Sequence, residues 1–133
     1  KLSEEKVHQL RRSWDTQPEK LNKESPYHPI NNKIYDNIPR NFLPDTESLK
    51  DTYNRVIPYF KKNIMNKTDT NILISAHGNS IRALCKYLFK LDNQNISKLE
   101  IPTGNPLVLN FKNGSVISAK YLDQNRSKDL IIF

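Results

Sequence analysis

Residues 71–76 read NILISA, a short apolar run that predicts a buried strand. It passes straight into His77-Gly78-Asn79-Ser80 and then into an amphipathic helix over 80–91, with Ile81, Leu84, Cys85 and Leu88 on its apolar face. Strands over 107–111 and 116–122 follow, joined by Lys112-Asn113-Gly114-Ser115, where Asn-Gly is a strong hairpin signal. One parallel-type strand, one hairpin and apolar-faced helices make an α/β chain with too little sheet for its helices to cover. This strand count predicts missing strands, supplied by an absent N-terminal portion or by a partner chain.

The remaining segments give the helices their places. Ser3–Trp14 predicts a helix with Ser3 as N-cap, Glu4 and Glu5 in the first turn, and Val7, Leu10 and Trp14 on one face. Arg11-Arg12 stands near its end. Residues 17–44 hold five of the eight prolines and no sustained period, so they predict a long irregular excursion of the kind that is functional or disordered. Tyr27, Tyr35 and Phe42 predict that it packs on something. Thr46 is the expected N-cap of the next helix, whose face runs Leu49, Tyr53, Val56, Ile57, Phe60 and Ile64. Pro58 is expected to kink or break it. A short helix over 95–99 and a rigid loop over 101–106, IPTGNP, complete the pattern.

Composition narrows the function classes. The 133 residues suit one domain, but a hydrophobic share of 36% makes a lean core. No apolar run approaches the roughly 20 residues of a membrane helix. The opening Lys-Leu-Ser-Glu-Glu-Lys lacks the apolar stretch of a signal peptide and an initiator Met, so a longer parent chain is expected. A single cysteine, Cys85, excludes a disulfide framework, fits a reducing cytoplasm, and sits at a core position. The net charge of +7 favours anionic partners, yet no run of five basic residues occurs and no aromatic-basic module points to nucleic acid. His8 and His28 have no company at ligand spacing, so no metal is expected.

The junction at 77–80 carries the chemistry. A strand that ends at the N-terminus of a helix places His77 where α/β sheets bind ligands, beside amide groups that suit an anion. Gly78 permits close backbone approach or a positive φ, and Asn79 or Ser80 can cap the helix. On spacing alone, a plain strand-to-helix turn with a structural His is an equal alternative. Arg11-Arg12 is either a solvated helix end or a guanidinium clamp for phosphate or carboxylate. Thr103-Gly104 is a turn between prolines, or a place where backbone nears a ligand.

At these residues the chain resembles a known family. SAHGNSIRALCKYL followed by LEIPTGNPLVLNF, with LPDTESLKDTYNRVIPYF and VHQLRRSW upstream, resembles the cofactor-dependent phosphoglycerate mutases of the histidine phosphatase superfamily. The likeness covers about Glu5 to Leu122. It implies an α/β, three-layer αβα fold that is incomplete, because the N-terminal half with the central strands is absent. Residues 1–133 would form the C-terminal part of a single domain, with 17–44 as its excursion and 123–133 as a divergent tail.

The implied activity is interconversion of 2-phosphoglycerate and 3-phosphoglycerate in glycolysis and gluconeogenesis, through a phosphohistidine primed by 2,3-bisphosphoglycerate and without a metal. His77 matches the second catalytic His, which stabilises the transferring phosphoryl group. Gly78 and Asn79 match ligand-contacting positions, Arg11 and Arg12 the pair that holds the substrate's anionic groups, and Thr103 and Gly104 a loop near the site. The Arg-His-Gly motif of the phosphorylated His does not occur, nor do the N-terminal substrate-binding Arg and acid/base Glu. The chain is therefore expected to carry half a site, to be inactive alone, and to be marginally stable. Its expected partners are phosphoglycerates and the missing half, in the cytoplasm, with a homo-oligomer left open. A superfamily phosphatase and a non-catalytic remnant of a split gene are the alternatives.

Overall fold

The computed structural model describes residues 2–67 and 70–127. Along the chain lie α1 (Glu4–Arg12), α2 (Leu49–Asn63), α3 (Gly78–Leu88), α4 (Asn93–Lys98), β1 (Leu107–Lys112) and β2 (Ser115–Tyr121), with single 3-10 turns at 29–31, 33–35, 40–42 and 125–127. The core lies where α2 meets α3. One cluster gathers Leu49, Ala83, Cys85, Leu91, Ile96 and Leu99, and a second gathers Ile57, Phe60 and Leu84. These are the faces that the 3.6-residue spacing foretold for α2 and α3.

Local chemistry fixes the ends of the elements. Ser3 caps α1, its Oγ accepting from the Lys6 N–H at 3.2 Å. The cap of α2 is Ser48, not Thr46. Ser48 Oγ accepts from the Asp51 N–H at 3.2 Å while Asp51 Oδ2 accepts from the Ser48 N–H at 2.9 Å, a reciprocal pair that satisfies two end donors. The Thr46 hydroxyl is committed elsewhere, donating to the Pro18 carbonyl at 2.7 Å. Pro58 neither breaks nor ends α2, which continues to Asn63; it is exposed, where one missing N–H is tolerated. In the hairpin, Asn113 (φ 51°) and Gly114 (φ 73°) both adopt the left-handed conformation that a two-residue turn needs. Lys112 then pairs with Ser115 and Leu107 with Tyr121, with a bulge between Asn110 and Phe111.

The predicted strand at 71–76 does not form. Among the described residues no ladder includes it, β1 and β2 pair only with each other, and Leu73 is 91% exposed. A strand is a paired object, and among the described residues nothing lies beside this one to accept its bonds. The α/β class holds, with four helices and one two-stranded antiparallel sheet among the described residues in place of a full central sheet.

The excursion is pinned by polar groups rather than by its aromatics. His28, 1% exposed, contacts Asp45 Oδ1 through Nε2 at 3.2 Å and accepts from the Ile30 N–H at Nδ1. Asn31 donates to the Lys23 and Ser25 carbonyls, both at 2.8 Å. Tyr27 and Phe42, expected to pack, are 88% and 71% exposed, and Tyr35 is partly so. At the other end, Asn105 and Asp123 exchange side-chain and backbone bonds at 2.8 and 3.0 Å, and Arg126 donates to the Thr103 carbonyl. The apolar run at 130–133 falls outside the described residues.

Candidate functional site

A cavity of about 600 Å³ opens between the C-terminus of α1, the N-terminus of α3 and the loop after α4. Arg11, Arg12, His77, Gly78, Asn79 and Thr103 all line it. Six of the seven residues expected at a site thus meet across three segments. Gly104 does not line it. Its φ of 69° is what requires glycine, so it shapes the turn and brings no backbone to the cavity.

α3 begins differently from expectation. Its N-cap is His77 itself, not Asn79 or Ser80. The His77 Nδ1 accepts from the Asn79 N–H at 3.3 Å, and the His77 carbonyl accepts from Ser80 N–H at 2.9 Å. Gly78 occupies the first helical position without a positive φ, with nothing within 4 Å of where a Cβ would stand. The cap has a chemical consequence. An imidazole accepting at Nδ1 carries its proton at Nε2 when neutral, so His77 offers an Nε2–H donor. That ring is exposed, and Nε2 has no partner among the described residues. The Gly78 N–H is also unengaged among them, so two donors stand at the positive end of a helix.

The arginines have distinct states. Arg12 pairs with Glu100. Arg11 is exposed and its side chain has no partner among the described residues. A third arginine, not singled out as a site residue from the sequence, lines the same cavity: Arg82, only 6% exposed. It donates to the Arg11 carbonyl (3.2 Å), to Asn79 Oδ1 (3.3 Å) and to the Ile96 carbonyl (2.7 Å), while its Nε is buried without a partner. Burial and the neighbouring Arg12 charge both lower its pKa, partly opposed by Glu100. The signal for it was available: an Arg between apolar Ile81 and Ala83-Leu84-Cys85, on a helix face meant for the core. Glu47, the other acid at the cavity, is engaged by Arg55 at 2.5 Å.

Cys85 is buried at 2% and burial pushes its thiol up to about 12, as suits a core residue. Among the described residues no group of three or more His, Cys, Asp or Glu is disposed to hold a metal ion, and no helix is long and apolar enough to cross a membrane.

An exposed His at a helix start, a guanidinium unpaired among the described residues and oriented N–H groups around one cavity make an arrangement suited to an anion. The sequence profile of the histidine phosphatase superfamily (branch 1) matches residues 9–124, and the chain belongs to that superfamily. Among curated relatives, a 2,3-bisphosphoglycerate-dependent phosphoglycerate mutase of Pelagibacter ubique is 59% identical over 136 residues, covering all of this chain and 57% of the relative. Proteins of the same description from Maricaulis maris and Borreliella afzelii are 42% and 44% identical, covering 98% and 96% of this chain and 55% and 53% of their own lengths. The chain thus spans about half the length of these relatives.

Proposed function

We propose that this chain carries the second-His half of a 2,3-bisphosphoglycerate-dependent phosphoglycerate mutase. The reading rests on one observation above all: Arg11, His77, Gly78 and Asn79 share a cavity, with the Arg11 guanidinium and the His77 Nε2–H unspent among the described residues. Phosphoryl transfer is chiefly positioning and electrostatic stabilisation of equatorial oxygens. In this reading Arg11 and Arg12 hold the anionic groups of 2- and 3-phosphoglycerate. Gly78 N–H and Asn79 contact the ligand, and His77 Nε2–H donates to the phosphoryl group in transfer. Thr103 borders the pocket. In this reading the phosphohistidine primed by 2,3-bisphosphoglycerate lies outside this chain, whose sequence holds no Arg-His-Gly. The lone, buried thiol and the glycolytic role suit a cytoplasmic setting.

The test is a titration of the 133-residue chain with 2,3-bisphosphoglycerate, followed by backbone amide shifts. Binding that moves Gly78 and Asn79 and is weakened by Arg11→Ala supports the reading. Shifts elsewhere, or none, count against it. Mutase turnover is expected to be absent from the isolated chain, because its sequence holds no Arg-His-Gly. Release of inorganic phosphate from phosphoglycerate would favour a superfamily phosphatase instead.

A further inference from the structure

α1 buries none of its residues, yet it ends in the two arginines of the site. Apolar packing alone therefore does not fix where its last turn stands. That turn is held at its end, where Arg12 pairs with Glu100 and the following Trp14 packs against the core cluster. Trp14, just beyond it, accepts at its carbonyl from the Lys50 N–H at 2.8 Å and sets its ring edge-on to Tyr53 at 5.5 Å. On the other side Arg82 reaches up from the core. It is anchored by its short bond to the Ile96 carbonyl and extends its other terminal nitrogen to both the Arg11 carbonyl and Asn79 Oδ1.

A buried cation is a costly choice for this task. The three residues that follow it on α3 are buried Ala83, Leu84 and Cys85. Among the described residues no carboxylate bonds to Arg82; its partners there are neutral oxygens, and the nearby Glu100 is taken by Arg12. A neutral side chain would fill the core at lower cost. Only a forked guanidinium bridges three oxygens on three different segments.

We propose that Arg82 is a positioning residue: it clasps the Arg11 carbonyl and the Asn79 side chain together, and so sets the Arg11–Arg12 arm against the first turn of α3. The ligand half of this proposal rests on the phosphoglycerate reading above; the clasp does not.

Two readouts on the 133-residue chain separate them, using wild type, Arg82→Lys and Arg82→Met. The first is hydrogen exchange of the Ser13 amide, bonded to the Gln9 carbonyl at 2.9 Å, compared with amides in α2, all without ligand. Ser13 is expected to exchange about tenfold faster in both variants while α2 is unchanged. Lys keeps the charge and lacks the fork, so it fails with Met. The second is affinity for 2,3-bisphosphoglycerate, expected to fall about tenfold in both. If Arg82→Met does not fold, Arg82→Lys decides. Unchanged Ser13 exchange in a folded variant, or equal acceleration throughout the chain, overturns the clasp. If wild type shows no ligand shifts, the phosphoglycerate reading falls while Ser13 exchange still judges the clasp.

Discussion

Cys85 shows how burial alone decides a side chain's chemistry. With its thiol pushed up to about 12, almost none is thiolate at neutral pH, and the thiolate is the reactive form. A thiol reagent is expected to leave the folded chain unmodified and to label it fully in denaturant; rapid labelling of the native chain would contradict the burial. His77 is the opposite case, an exposed residue with two tasks on one ring. Nδ1 serves the helix, and in the proposed function Nε2–H serves the ligand. Asn is a good N-cap, so His77→Asn is expected to keep stability within about 1 kcal/mol while weakening 2,3-bisphosphoglycerate binding about tenfold. His77→Ala should lose the binding and about 1 kcal/mol of stability as well. Thermal melts paired with titrations of both variants check this, and a His77→Asn chain that binds normally would remove His77 from the site.

Among the elements, α2 depends most on its start. Ser48→Ala is expected to cost about 1 kcal/mol in chemical denaturation. Hydrogen bonds from Ser48, then from Gln17, hold the Asp51 carboxyl below its ordinary value of 3.8. A depressed folded value means that this contribution is present above pH 3.8 and is lost as pH falls through the lower folded value. The melting temperature of Asp51→Asn should therefore approach that of wild type on acidification to about pH 3, and a constant gap would contradict the assignment. The amphipathic faces of α2 and α3, the Asn-Gly hairpin and the Ser3 cap were all legible in the sequence, because each is set by residues within a few positions of one another. The choice of Ser48 over Thr46 was not, since it turned on the distant Pro18 carbonyl claiming the threonine. Likewise NILISA reads as a strand wherever neighbours exist, and its state depends on what lies alongside. Six of the residues that line the shared cavity were legible and Arg82's reach to Arg11 was not, since 71 positions separate them.

For the molecule as a whole, the unpaired run leaves Ile72, Leu73 and Ile74 at 44%, 91% and 38% exposure. Apolar surface of this kind favours association. Sedimentation is expected to show concentration-dependent self-association that Leu73→Lys reduces, with stability of the chain changed by no more than about 0.5 kcal/mol. A strictly monomeric wild type, or a Leu73→Lys chain that unfolds, would count against an exposed run. Close to the arginine arm in the sequence stands the chain's single tryptophan. Trp14 follows the arginine arm by two positions, meets Tyr53 edge-on, and has the Lys86 ammonium 4.5 Å from its ring. Indole emission responds to nearby charge and to motion of its surroundings, so the protein contains its own optical probe. Any ligand drawn to Arg11 or Arg12 should shift the colour or intensity of that fluorescence, so the cavity can be watched in dilute, unlabelled protein.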